Sequence, residues 1–247
     1  MRALLAFFTI LPIAAPGSTL EDAARKTYLL PFVGLLAGLP GAALLLLTYA
    51  VPPGVTATLA LAVTLLAAGL HHTDGVMDVG DALMVRGSPE RRREVLKDTR
   101  VGAGAAGALF IVYGPPLAAL AVLADASPPR AAAALLAGEV VARSAMLLLL
   151  LFGSPDDARS SSAYFVRSLK KRSRRSTALV LALVLPPLFA LPLAPYALLA
   201  ALAALATVPF ALVLAKRAFG GISGDVAGAT GELARAVLLI ALSAVVS

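Results

Sequence analysis

The sequence predicts an all-α, polytopic integral membrane protein: a helical bundle of about seven transmembrane helices with an N-terminal interfacial or re-entrant segment. Three observations predict it. Of 247 residues, 60% are hydrophobic and 14% charged, with a mean hydropathy of +0.90, whereas soluble domains carry roughly 25% charged residues. The apolar residues come in long runs close to the ~20 residues that cross a bilayer as a helix. The connections between runs alternate between minimal and long polar ones. Cysteine is absent, which excludes a disulfide framework, a thiolate nucleophile and a Cys-ligated zinc or iron–sulfur site. The net charge of +7 fits loops that face anionic headgroups better than a nucleic-acid surface.

Residues 1–16 are apolar but too short to span, and Pro12 interrupts them. A single Arg2 is a thin basic region for a signal peptide, so an interfacial or re-entrant segment is expected. Glu21, Asp22, Arg25 and Lys26 mark a polar linker. Seven spans are expected at about 28–50, 54–71, 102–124, 130–152, 177–194, 197–215 and 232–246. Pro115-Pro116 and Pro186-Pro187 fall inside spans and predict kinks whose freed backbone groups neighbouring helices must satisfy. The long connections 72–101, 153–176 and 216–231 then share one face with the N-terminal segment. That face holds nearly every lysine and arginine, and only Arg130 clearly belongs to the other. The positive-inside rule makes the basic face cytoplasmic, in a cell membrane, and the C-terminus external. No internal repeat is evident, and residues 1–247 are expected to form a single membrane-embedded catalytic domain.

The stretch His71-His72-Thr73-Asp74-Gly75-Val76-Met77-Asp78-Val79-Gly80-Asp81 follows the second apolar run directly. Asp74, Asp78 and Asp81 stand at i, i+4 and i+7, one face of a helix. Three carboxylates so close need a positive charge, and Mg²⁺, held by a few carboxylates together with substrate phosphates, supplies it. Lys97 and Arg100 flank Asp98 just before a Gly/Ala-rich helix start, a setting that favours anions. The Gly-rich segment 220–231 permits close backbone approach, and Asp225 and Glu232 add carboxylates at i and i+7. Glu139 and Arg143 sit mid-span at i and i+4, either as a buried pair or lining a polar cavity. The run Lys170-Lys171-Arg172-Ser173-Arg174-Arg175 lacks acidic partners and is expected to bind membrane lipid. Carboxylates, basic groups and glycines at three loops of one face fit metal-assisted phosphoryl transfer, with His72 or an Asp of the cluster as base for an attacking hydroxyl.

At these residues the chain resembles the cobalamin synthase family, the adenosylcobinamide-GDP ribazoletransferases. The family pattern Gly-Leu-His-x-Asp-Gly-x-x-Asp-x-x-Asp stands here as Gly69-Leu70 and, after an extra His71, the stretch His72 to Asp81. Its Lys-Asp-Ser-Arg-Ile-Gly resembles Lys97-Asp98-Thr99-Arg100-Val101-Gly102, and its Thr-Gly-Asp-x-x-Gly-Ala-x-x-Glu resembles Ser223 to Glu232. Pro31-Phe32-Val33-Gly34 and Phe7-Phe8-Thr9-Ile10-Leu11-Pro12 echo two N-terminal patterns; Ile10, Ala82 and Gly231 depart from the family residues.

The resemblance implies an Mg²⁺-dependent membrane transferase. It would join adenosylcobinamide-GDP to α-ribazole or its 5′-phosphate, giving adenosylcobalamin or its 5′-phosphate and releasing GMP. It implies His72, Asp74, Asp78 and Asp81 as catalytic, with the three aspartates holding Mg²⁺, and Lys97, Asp98, Arg100, Ser223, Asp225 and Glu232 as substrate- or phosphate-binding. A homo-oligomer is also expected. Two alternatives stand beside this one. A CDP-alcohol phosphotransferase-like lipid enzyme also sets aspartates at a membrane helix end, but its Asp-Gly-x-x-Ala-Arg is not reproduced, since Val76-Met77-Asp78 follows Asp74-Gly75. A cation-coupled transporter would place its carboxylates near the midplane within repeats.

Overall fold

The structure, a computed structural model, describes residues 1–13, 16–191, 193 and 196–246. The described residues are nearly all helical. In chain order they form α1 (Arg2–Phe8), α2 (Leu20–Ala24), α3 (Leu30–Leu45), α4 (Pro53–Ala67), α5 (His71–Met84), α6 (Pro89–Val95), α7 (Ala103–Ala126), α8 (Pro128–Phe152), α9 (Ser161–Leu169), α10 (Arg172–Ala190), α11 (Ala197–Leu205), α12 (Thr207–Phe219) and α13 (Gly224–Val246).

α8 is the axis of the bundle. It is surrounded by other helices, and from Gly138 to Leu151 every residue is buried. α3, α10 and α13 pack around it, while α5 and α7 close against α13. Close approach depends on small residues, the usual basis of helix association in lipid. A Cβ at Gly34 of α3 would come within 2.7 Å of Arg143 Cγ on α8.

Five described helices or helix runs are long and apolar enough to cross a membrane: Thr27–Tyr49, Ala103–Ala126, Pro128–Phe152, Ala197–Phe219 and Gly224–Ala244. α4 and α5 together count as a sixth, bent by 94° at their junction. The expected seven is therefore not reached. The expected fifth span corresponds to α10, whose first turn holds Arg172, Arg174 and Arg175, which dilutes its apolar character; residues 192 and 194 near its expected end, and 195 in the expected connection after it, lie outside the described residues.

Two further differences have clear causes. The second span does not run straight into the acidic stretch: Gly69 and Leu70 both adopt positive φ, +74° and +58°, and turn the chain sharply. Left-handed backbone is uncommon for leucine; here the bend is closed by hydrogen bonds from Gly69 N–H to the Leu66 carbonyl (2.8 Å) and from Leu70 N–H to the Leu65 carbonyl (3.1 Å). The expected seventh span begins eight residues early, because the Gly-rich segment after Ser223 is helical. The expected long connection at 216–231 shrinks to residues 220–223, with Gly220 at φ +76° ending α12.

The polar connections meet at one end of the bundle. Arg93 Nη1 donates to the Phe219 carbonyl (3.1 Å), Ile222 N–H to the Ser154 carbonyl (2.8 Å) and Asp156 N–H to the Ile222 carbonyl (3.1 Å). Ser168 Oγ donates to the Ala24 carbonyl (2.6 Å). The N-terminal segment folds inward at the same end: Leu4, Leu5 and Phe8 are buried, and Phe8 packs on Phe165 of α9, ring centres 5.5 Å apart.

Deep in the bundle four charges form a closed alternating ring. Arg143 reaches Glu139 (3.5 Å) and Glu232 (3.8 Å); Arg235 reaches Glu139 (2.7 Å) and pairs with Glu232 as well. All four are buried. Losing one member of such a network leaves an uncompensated buried charge, at about 3–5 kcal/mol. Glu139→Ala is expected to lower the melting temperature in detergent sharply. Glu139→Ala combined with Arg235→Ala restores neutrality and should destabilise less than the sum of the two single changes, as a double-mutant cycle of melting curves will show.

Candidate active site

α5, lying across the end of the bundle after the 94° bend, carries the three aspartates along one flank. α5 packs on both α13 and α7. A Cβ at Gly75 would sit 2.7 Å from the Asp225 carbonyl oxygen, so only glycine lets α5 lie this close to the start of α13. That contact brings Asp225, distant in sequence, to the acidic stretch. Asp78 interacts electrostatically with Asp74, Asp225 and Asp81, and Asp225 with Asp74 and Asp156. Asp74 is exposed, and Asp78, Asp81 and Asp225 are half-buried. The carboxylate group is thus contributed by three segments, and it is open at its edge.

Ser223 prepares the α13 contribution. Its Oγ accepts the Val226 N–H (3.2 Å) and donates to Asp225 Oδ2 (3.2 Å), which caps the helix while fixing the carboxylate. An acidic group in the first turn also suits the helix dipole.

Asp81 serves a different geometry from its neighbours. Its Oδ2 accepts the Gly102 N–H (2.7 Å) and its Oδ1 the Ala105 N–H (2.9 Å). Gly102 has no side chain with which to cap α7, so Asp81 caps it from α5. The cap fixes the 97–102 segment beside the carboxylates. In that segment Arg100 grips Asp98, with Nη2 at 2.7 Å from Oδ2 and Nε at 3.1 Å from Oδ1. Those Arg100 hydrogen bonds hold the Asp98 carboxyl down at about 2, so this surface pair forms above the ordinary carboxylate range and is lost only as pH falls through that value. Lys97 and Arg100 are exposed. Beside Asp81, Asp98 and Arg100 opens a cavity of 1060 Å³ walled by apolar side chains including Val79, Met84, Ile111, Phe210 and Leu214.

Two expected site residues are not brought to this open edge. His72 is buried against Phe8, ring centres 6.0 Å apart, and its Nε2 has no hydrogen-bond partner among the described residues. Glu232, two turns along α13 from Asp225, is closed into the buried charge ring. Of the two readings for Glu139 and Arg143, the structure selects the buried network, and it adds Arg235, which an i,i+3 spacing from Glu232 signals in the sequence. Arg235 also lies over the Tyr113 ring at 5.6 Å, while Tyr113 OH donates to Thr73 Oγ1 at 3.1 Å. This links the ring to α5. Sequence reasoning also missed Asp156, whose loop meets residue 222 through a backbone bridge between Pro155 and Ile222; no spacing in the sequence reports that pairing.

The residues present fit a magnesium ion in one specific sense. Among the described residues no three His, Cys, Asp or Glu side chains converge tightly enough to enclose a metal ion. Mg²⁺ keeps several waters and is commonly bound through one or two carboxylates plus substrate phosphates, and a group of like charges open to an anionic substrate suits that mode.

A helical membrane protein with an acidic edge tied through Asp81 to the segment that precedes α7 is the class that fold and site define. Comparison with known sequences narrows it. The cobalamin-5-phosphate synthase family matches residues 1–243, and the chain belongs to that family. Among curated relatives, the adenosylcobinamide-GDP ribazoletransferase of Halorubrum lacusprofundi is 37% identical over 97% of this chain and 94% of its own length. That of Thermoplasma volcanium is 31% identical over 98% and 89%, and that of Saccharolobus solfataricus 36% identical over 48% and 47%. No solved structure matches the chain.

Asp81→Ala is expected to free the Gly102 and Ala105 N–H groups and to cost about 1 kcal/mol, as the loss of a helix cap does. Hydrogen–deuterium exchange in detergent should show faster exchange confined to residues 97–106.

Proposed function

We propose that the protein is an Mg²⁺-dependent transferase that joins adenosylcobinamide-GDP to α-ribazole, or to its 5′-phosphate, releasing GMP in the late step of nucleotide-loop assembly. The family assignment and the names of the curated relatives support the reaction class. The observation that carries the site is the meeting of Asp225 with Asp74 and Asp78 at an open edge beside the segment that presents Lys97 and Arg100.

In this reading Asp74 and Asp225 would hold Mg²⁺ together with the pyrophosphate, and Asp81 anchors α7 beside them. The ion would neutralise phosphate oxygens during transfer. Lys97 and Arg100 contact those oxygens; Arg100 is placed to exchange its surface contact with Asp98 for a bidentate phosphate contact. A free ribose hydroxyl of the ribazole, other than the 5′ one that is blocked in the 5′-phosphate, attacks the phosphorus that bears the cobinamide, the bond from that phosphorus to the GMP oxygen breaks, and GMP leaves. The hydroxyl proton passes to Asp78, the carboxylate of this edge left free of the ion. His72, buried behind the acidic stretch, and Glu232, within the charge ring, act by positioning α5 and α13. The apolar cavity offers room for bulky substrate beside Asp81. We place this edge on the cytoplasmic side of a cell membrane, because basic residues crowd the same end.

Purified protein in detergent, supplied with adenosylcobinamide-GDP, α-ribazole and Mg²⁺, is expected to release GMP and form a cobamide, and to stop on chelation. Asp78→Ala and Asp225→Ala should each reduce kcat by roughly 10²-fold or more with little change in melting temperature. Near-normal turnover by both variants would remove the carboxylate edge as the site. His72→Asn separates the proton assignments: turnover with an unchanged pH profile supports Asp78, and loss of the titrating limb assigns the proton to His72.

A further inference from the structure

A second cavity, of 950 Å³, lies apart from the carboxylate edge, between the N-terminal helices and the start of α10; Arg2, Arg25, Lys26, Arg174, Asp22 and Thr177 line it. Four basic side chains converge here with one carboxylate, Asp22, whose Oδ2 accepts from both the N–H and the Oγ of Thr19 at 3.0 Å and which attracts Arg25, so positive charge stays in excess. Arg25 faces Glu21 at 3.8 Å, but both side chains are more than half exposed, so the pair is weak. Arg2, Lys26 and Arg174 have no carboxylate within ion-pair reach among the described residues. α10 begins with no side-chain cap, so its first N–H groups add to the positive field. Basic charge gathered in a cavity with so little internal compensation is the chemistry of a phosphate site.

A continuous apolar surface leaves this cavity. From Thr177, residues 180, 184 and 188 follow at helical spacing along one face of α10, and Val180, Val184 and Leu188 are 58%, 52% and 58% exposed. A free phosphate uses only the cavity, whereas a phospholipid uses both features.

We propose that this cleft binds the phosphate of an anionic phospholipid, with an acyl chain lying along the Val180–Val184–Leu188 stripe. Of the basic run at 170–175, Arg174 is the charged residue that lines the cleft. The site is independent of the transfer reaction, since none of the residues assigned to catalysis lines it.

The test uses the full chain in detergent, titrated with phosphatidylglycerol, phosphatidylcholine or inorganic phosphate, with retained lipid read by native mass spectrometry and stability by melting temperature. Phosphatidylglycerol is expected to be retained and to raise the melting temperature, and phosphatidylcholine to do neither. Arg2→Gln/Lys26→Gln/Arg174→Gln should weaken retention by about tenfold or more, whereas Lys216→Gln/Arg217→Gln, removing charge from the same end outside the cleft, should not. Val184→Asn should weaken lipid retention without altering any response to phosphate. Arg174→Gln alone gives the same readout, at smaller amplitude, if the triple variant is unstable. Equal retention of both lipids, or undiminished retention in the cleft variants, overturns the proposal. So does a response to inorganic phosphate that matches phosphatidylglycerol, which would assign the cleft to a soluble anion.

Discussion

The closed ring of Glu139, Arg143, Glu232 and Arg235 is the constraint on which the bundle depends. Four ionised side chains in an apolar interior are tolerable only when each faces opposite charges, and the alternating arrangement meets that condition with no net charge. It joins α8 to α13, and Gly34 lets α3 close over it. Hydrophobic burial discriminates poorly between neighbouring registers of Ala- and Leu-rich helices. A charge ring accepts one register, because a slip by one residue strands a guanidinium in hydrocarbon. Its worth lies in specificity more than in net stability, since buried ion pairs barely repay their desolvation.

That register sets the site. Glu232 and Asp225 lie two turns apart on α13, so fixing the first fixes the height of the second. Tyr113 extends the same control to α5, stacking beneath Arg235 while reaching Thr73. The bend at Gly69 and Leu70 then lays α5 across the bundle end, and the bare backbone at Gly75 lets its acidic flank meet Asp225. Asp81 completes the frame by capping α7, which holds the basic segment of Lys97 and Arg100 beside the carboxylates. Burial and charge are separated along the molecule: a compensated ring inside, an uncompensated acidic edge at the end, where an anionic substrate with its counter-ion can balance it.

The second, basic cleft follows the same logic with opposite sign. The two clusters share no residue, and each is left incomplete by the protein itself. Charge that the fold compensates internally serves structure, and charge that it leaves uncompensated points to a ligand.

Much of this was legible in the sequence. Composition and run length determined an all-helical membrane protein, because apolar runs of this length have few other stable outcomes, and the i, i+4, i+7 spacing placed three aspartates on one helix flank. The ordered motifs pointed to the family. Other features belonged to the tertiary structure alone. The helical state of 224–231 depends on α5 and α8 packing against its small residues, so a Gly-rich stretch that reads as a turn becomes the first two turns of α13. Glu139 and Arg143 left open whether they were paired inside or lined a cavity until Arg235 and Glu232 arrived from another helix. His72 and Glu232 looked equivalent to their acidic neighbours because spacing records which face a residue occupies and not how deep that face lies. Depth, partner and exposure are set by contacts between segments far apart in the chain, and those contacts exist only once the helices have packed.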